Sequence, residues 1–213
     1  SGFQVYARID GFFTPEGTIF LNDPNTTSGM LPSSFFFHQA AEIGLNPSQF
    51  LTLIIRLSLQ ERCGDQPDNE QWRALLQRLD TSISSLQGEQ QKQRRIGVIL
   101  GGYSFERHIS VESGRNVFEK LSSSIDYAPI PVFLTGSDRQ HELYQLPINL
   151  LLKDNADDIK DKITHWKSHP VLSKIRLECA PITKKYASAD VIFAPEKLTY
   201  DSLSKKVDGV FIA

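Results

Sequence analysis

Cysteine is scarce. Cys63 and Cys179 are the only two in 213 residues, too few and too far apart for a disulfide framework or a cysteine metal site, so they read as reduced, cytosolic thiols. Methionine occurs once, at Met30. The chain opens Ser1-Gly2-Phe3 without the charged and small-residue signals of a secretory leader, as expected of a segment cut from something longer. A long apolar run is missing too: Phe50 to Leu59 is interrupted by Arg56 and falls short of the ~20 residues that cross a bilayer. No membrane span is expected. Charge of one sign is equally absent, with 23 Lys and Arg against 25 Asp and Glu, a net charge of -2 and a pI near 6.2. Nothing therefore favours nucleic acid, and small-molecule chemistry is the better expectation. What is present is an ordinary globular composition, 40% apolar and 23% charged, enough for one large core or two small ones.

Along the chain, Val5, Ala7 and Ile9 alternate with Tyr6, Arg8 and Asp10, which predicts a strand with one polar face. Thr14-Pro-Glu-Gly17 supplies turn chemistry and Thr18 to Leu21 resumes a β pattern, so a hairpin is expected over 4–26. A polar loop, Asn22 to Ser34, leads to a helix from Phe35. Asn46-Pro-Ser-Gln starts another through about Arg62, and Trp72 to Leu86 carries helical spacing up to Gly88,. Gln87 to Arg95, rich in Gln, Lys and Arg, marks an exposed connector,. Ile96 to Leu100, the Gly101-Gly102 turn and a helix from about Ser110 (as N-cap) to Leu121 open an α/β unit,. It continues with a strand at 128–134, a helix at 156–166 and a buried strand at 207–213 that stops without a cap, again as if cut; the stretch between carries no clear pattern. A parallel sheet with 96–100 beside 207–213 is predicted, because both runs are apolar enough for burial on two faces.

Arg8 and Asp10, followed by Asn22-Asp-Pro-Asn25, put a cation beside several oxygen ligands, a set suited to Mg²⁺ on nucleotide phosphates. Solvated strand and turn residues read the same way. Gly29 could offer a backbone N–H to a developing oxyanion, or be a plain loop glycine. Ser33 and Ser34 could hold a substrate carboxylate at a helix start, or simply cap it. His38, His108 and His141 match no catalytic role and read as surface or partly buried histidines.

Tyr6-Ala-Arg-Ile-Asp10, Leu21-Asn-Asp-Pro-Asn-Thr26 and Ser28-Gly-Met30 resemble the C-terminal signature of D-alanine-D-alanine ligases of the ATP-grasp superfamily, with similarity to about Arg62. Arg95-Ile-Gly-Val-Ile-Leu-Gly-Gly-Tyr-Ser-Phe-Glu-Arg-His-Ile-Ser-Val-Glu-Ser-Gly114 resembles the same family's amino-terminal signature. An ending thus precedes a beginning. The resemblance implies an α/β chain: part of an ATP-grasp domain over 1–62 (an antiparallel hairpin plus helices), a helical linker over 63–94, and over 95–213 a truncated Rossmann-like three-layer pre-ATP-grasp domain of a second copy. A tandem fusion explains this order more simply than a circular permutation, because the family's middle is in neither piece.

In such ligases ATP phosphorylates one D-alanine carboxylate and the amine of a second D-alanine attacks the acyl phosphate. Carried over by position, Asp10, Asp23 and Asn25 would hold Mg²⁺, which Mn²⁺ could replace. Arg8 and the Gly29 N–H would stabilise the oxyanion, at about 3 kcal/mol per donor in comparable sites. Ser34 would bind the carboxylate of the second D-alanine and Glu106 the ammonium of the first; without the resemblance Glu106 reads as an exposed acid near a helix start. Asp23 stands where the family usually has Glu, and Ser28 where Pro is common, so metal geometry and the Gly29 loop depart from the pattern. The implied setting is cytoplasmic peptidoglycan synthesis, hence cell wall biogenesis and cell shape, with a homodimer allowed. Two other readings stay open: a degenerate, non-catalytic copy acting as an interaction module, and an ATP-grasp ligase for another amino acid, against which Glu106 and Ser34 together speak.

Overall fold

The computed structural model describes residues 4–26, 29–30, 34–89, 92–153 and 155–213. Strands β1 (Arg8–Phe13) and β2 (Ile19–Asn25) pair antiparallel. The expected turn closes them: the Gly17 N–H donates to the Thr14 carbonyl at 3.0 Å, and Gly17 takes φ 86°, a left-handed conformation that costs glycine little. Gly11 is needed for a different reason, since a Cβ there would lie 2.7 Å from the Phe20 carbonyl oxygen. The strand starts at Arg8, later than the alternation from Gln4 suggested. Pairing slips between Ile9 and Asp10, which oppose Pro24 and Asn22, so Asp23 is the extra residue of a β-bulge, with φ 47°,. Ile9, Phe12, Ile19, Phe20 and Leu21 are all exposed. Apolar residues therefore reach solvent instead of lining a buried face.

Three helices follow: α1 (Phe35–Glu42), α2 (Pro47–Asp65) and α3 (Glu70–Glu89). Asn46 starts α2 with a reciprocal capping box, its side chain accepting from the Gln49 N–H at 2.9 Å while the Gln49 side chain accepts from the Asn46 N–H at 3.0 Å, and Pro47 occupies the first turn,. Tyr6 packs on Phe36 and Phe36 meets Phe50 edge-on, which moors the root of the hairpin to α1 and α2. Helix α3 lies along α2, joined by the Arg56 guanidinium donating to both Asp80 carboxylate oxygens at 2.7 and 3.2 Å.

The second half contains β3 (Arg94–Gly101), α4 (Arg107–Ser122), β4 (Tyr127–Gly136), β5 (His141–Gln145), α5 (Ile148–Leu151), α6 (Ala156–Thr164), α7 (Pro170–Glu178), α8 (Ala180–Tyr186), β6 (Glu196–Leu198), α9 (Tyr200–Lys206) and β7 (Gly209–Ile212). The sheet runs β6-β5-β4-β3-β7. Leu100 and Phe133 on one face pack with Val111 and Phe118 of α4 and with Leu150 and Ile159. On the other, Ile130, Val132 and Leu143 pack with Leu203 of α9. This is the expected three-layer α/β arrangement, and β3 and β7 are parallel neighbours.

Three expectations need correction. The sheet is mixed, because β5 is antiparallel to β4 and to β6; the short 137–140 connection after Gly136, whose φ is 102°, allows only an antiparallel return. Strand β7 is not buried on both faces: Val210, Phe211 and Ile212 are exposed, since it is the edge strand of the sheet and pairs with β3. Ser110 is not the N-cap of α4; it lies a turn inside, and Glu106 holds that position.

The two halves touch. Phe37 and Ala41 of α1 pack on Leu152, which caps α5, with Ile148 of α5 against the same cluster. Glu42 receives hydrogen bonds from Asn149 at 2.9 Å and from Arg176 at 3.1 Å. Lys185 of α8 reaches Asp80 at 2.8 Å, and Ile83 of α3 packs with Leu45, Tyr186 and Ala187. The segment 63–94 is thus largely helical and buries part of its surface.

Candidate functional site

The bulge sets the geometry of the polar end of the hairpin. Arg8 opposes Asn25 and Asp10 opposes Asn22, and directly opposed residues point to the same side of an antiparallel pair. Arg8 and Asp10, two apart, also share that side, with an Arg8 Nη2 to Asp10 Oδ2 distance of 3.4 Å. Among the described residues the buried Arg8 Nε has no hydrogen-bond partner, which leaves this guanidinium a donor to offer. Asp10 and Asp23 are exposed. Two carboxylates and an amide carbonyl on one hairpin are hard oxygen donors fitting Mg²⁺, which takes one or two carboxylates and fills its shell with phosphate and water. Among the described residues no three His, Cys, Asp or Glu side chains gather into a metal cage, so a protein-only cage is not what this hairpin offers.

Gly29 is exposed, and among the described residues a Cβ there would meet nothing within 4 Å. Ser34 caps α1, its hydroxyl accepting from the Phe36 N–H at 3.3 Å, so the capping role is realised. Ser33, Thr27 and Ser28 lie outside the described residues. Glu106 stands in the other half, exposed at the N-cap of α4, and its side chain makes no capping bond. No hydrogen bond or ion pair joins it to Arg8, Asp10 or Asp23 among the described residues. The structure therefore gathers Arg8, Asp10, Asp23 and Asn25 on one hairpin and places Glu106 on a separate element.

The loop that carries Glu106 is built on glycine. Gly101 and Gly102 have φ 95° and 112°; a Cβ on Gly101 would lie 2.5 Å from the Phe133 ring. The Gly101 N–H donates to the Ser110 hydroxyl at 3.0 Å, that hydroxyl donates to the Ala213 carbonyl at 2.8 Å, and the Gly102 N–H donates to the Leu134 carbonyl at 2.7 Å. Beyond the loop, Arg107 forms a two-pronged pair with Asp157, both bonds at 2.9 Å; it holds the Asp157 carboxyl below its usual range,. Sequence reasoning missed one group here. His141, read as an ordinary surface histidine, stacks on Tyr103 at 5.8 Å between ring centroids, and its Nδ1 lies 2.6 Å from the Tyr200 hydroxyl. No short motif announces such a contact, because its members come from three elements.

A cleft of about 280 Å³ separates the helical half from the sheet, lined by Asn46, Gln49, Gln93, Gln145 and Tyr186 among others. None of the candidate residues lines it. No helix among the described residues is long and apolar enough to cross a membrane.

Comparison with known proteins falls on the hairpin half. Residues 2–56 match the family described as D-ala D-ala ligase C-terminus, so this segment is similar to the closing part of such a ligase. Among curated proteins, a D-alanine--D-alanine ligase of Pseudarthrobacter chlorophenolicus (strain A6) is 32% identical over 63 residues, 30% of this chain and 16% of the relative. The D-alanine--D-alanine ligase B of Clostridium perfringens (strain 13 / Type A) is 37% identical over 59 residues, 28% of this chain and 20% of the relative. The chain thus spans a fifth or less of the length of these relatives. No solved structure matches the chain.

Proposed function

We propose that this chain carries the end of one ATP-dependent D-alanine-D-alanine ligase unit followed by the start of another, from a cytoplasmic protein that makes the dipeptide for peptidoglycan. The observation that carries the reading is the family match over the hairpin that holds Arg8, Asp10, Asp23 and Asn25 together. In this reading Mg²⁺ would lie against Asp10, Asp23 and Asn25 and neutralise charge on the nucleotide phosphates. Arg8, already turned to the face of Asp10 and with its Nε unspent, would donate to the oxyanion as the amine adds, beside the Gly29 N–H. Ser34 would receive the carboxylate of the second D-alanine, exchanging its cap bond for the substrate, and Glu106 would hold the ammonium of the first. Hairpin and Glu106 belong to successive active centres.

Two titrations of the ¹⁵N-labelled chain test these roles. Mn²⁺, a paramagnetic stand-in for Mg²⁺, should broaden the amides of Asp10, Asp23 and Asn25 in preference to other acidic segments, and Asp10→Asn should suppress the effect. D-alanine should shift the amides of 102–107 more than L-alanine does, and Glu106→Gln should abolish the difference. Uniform broadening would remove the metal assignment; equal responses to both enantiomers would remove that of Glu106.

A further inference from the structure

Between the Gly101-Gly102 root and Glu106 the chain has little to hold it. Among the described residues Ser104 bonds only locally, its hydroxyl accepting from the Glu106 N–H at 3.2 Å and its carbonyl from Arg107 at 3.1 Å. Phe105 is 98% exposed, so its ring anchors nothing. From Tyr103 to Glu106 the one ring contact or hydrogen bond to a distant element, among the described residues, is Tyr103 against His141. His141 opens β5 and its imidazole is itself fixed: Nδ1 meets the Tyr200 hydroxyl at 2.6 Å and the two rings stand edge to face at 6.3 Å. Tyr200 starts α9 directly after β6. A ring on the loop, a ring on the β4–β5 hairpin and a ring on the last helix therefore form one chain of contacts at the sheet end where β3 runs out.

We infer that His141 is a positioning residue for the amino-acid subsite: with Tyr200 behind it, it clamps Tyr103 and thereby sets where the 103–106 loop presents the Glu106 carboxylate. The inference rests on the reading of Glu106 as the ammonium partner. A carboxylate that must meet an ammonium within hydrogen-bond distance gains affinity when its loop is already ordered, because ordering is then not charged against binding. Half-exposed Tyr103 loses rotamer freedom in the stack, and the loop inherits that restriction. His141 touches no substrate in this arrangement; it acts through Tyr103.

The test uses the whole chain and three variants. His141→Ala should speed amide hydrogen exchange at 102–106 and weaken D-alanine binding, read from the 102–107 amide shifts, by about five- to tenfold, while the thermal midpoint stays within ~2 °C, as for most exposed substitutions. His141→Phe returns a ring to the stack and should restore most of the affinity. Tyr200→Phe, which removes only the hydroxyl behind the imidazole, should cost about twofold. A merely structural role would lower the midpoint and would not be rescued by phenylalanine. Unchanged exchange and affinity in His141→Ala would overturn the clamp. Faster exchange with unchanged affinity would overturn its link to the subsite. A wild-type chain that ignores D-alanine would overturn the Glu106 reading and the substrate link with it, while the exchange rates would still decide the clamp.

Discussion

Asp80 carries more of the helical half than its place in the sequence suggests. It accepts from Arg56 and from Lys185, and the Arg56 bond first, then that of Lys185, draws its carboxyl down to about 2 from 3.8. Because the folded value is depressed, the stabilisation is complete above about pH 4 and is lost as pH falls through that value toward about 2,. Asp80→Asn should therefore remove an acid-limb inflection between those values and destabilise by about 1 kcal/mol, discounted for partial exposure; denaturant melts of both proteins from pH 6 to pH 2 check it, and parallel pH curves would refute it. Gly101→Ala should be harsher, about 3 kcal/mol or more, because φ 95° disfavours any side chain and the added methyl meets the Phe133 ring and the Leu134 carbonyl,. A thermal midpoint unmoved by that change would contradict the tight turn. The doublet Gly101-Gly102 was legible as a turn in the sequence, whereas Ser110 was not legible as a brace, since a serine near a helix start reads as a cap whether it caps or crosslinks.

Among the elements, the best-marked helix was α2, where Asn46-Pro47 and Gln49 spell a capping box before an apolar run. The structure closes that box at 2.9 and 3.0 Å. Asn46→Ala should cost about 1 kcal/mol, and as Asn46 is buried the loss should appear as a lower denaturant midpoint with an unchanged slope; no change would mean Gln49 caps alone. The 4–26 hairpin and β3 were equally legible, from period-two alternation and from an apolar run entering a glycine turn. Others were hidden. Strand β5 alternates only over His141 to Gln145 and buries Gln145, a polar residue no pattern would place inside, and β6 is three residues long. Helices α7 and α8 carry Pro170 and Pro181 in their first turns, signals present in the sequence but isolated in a polar stretch. Edge exposure of β7 was unreadable because apolar content reports strand type, while burial depends on which neighbours arrive.

For the molecule as a whole, chemistry needs partners that the hairpin does not provide. In the proposed reading phosphoryl transfer rests on positioning and charge neutralisation, and the groups that would grip ATP belong to the middle of the family pattern, which neither stretch of resemblance covers. The purified 213-residue chain should release no phosphate from ATP and Mg²⁺ above a control lacking D-alanine. Turnover that depends on D-alanine and disappears with Asp10→Ala would defeat this expectation and favour one complete, permuted site.

The pairing of β3 with β7 carries a consequence of another kind, in the timing of synthesis. The backbone of Arg95 waits for Asp208, a bond that spans 113 residues, and parallel pairing gives β3 no nearer substitute on that edge. At about 5–20 residues per second on a ribosome, the interval from one strand to the other is on the order of 6–20 s. Helix α4 and β4 can fold onto β3 early, since they follow directly. During the interval the far edge of Ile96, Gly97, Val98 and Ile99 is open to any extended segment that passes, including the same stretch of a chain on a neighbouring ribosome. Slowing elongation between α4 and β7 should therefore lengthen that exposure and lower the soluble yield, whereas slowing it before Arg94 should not.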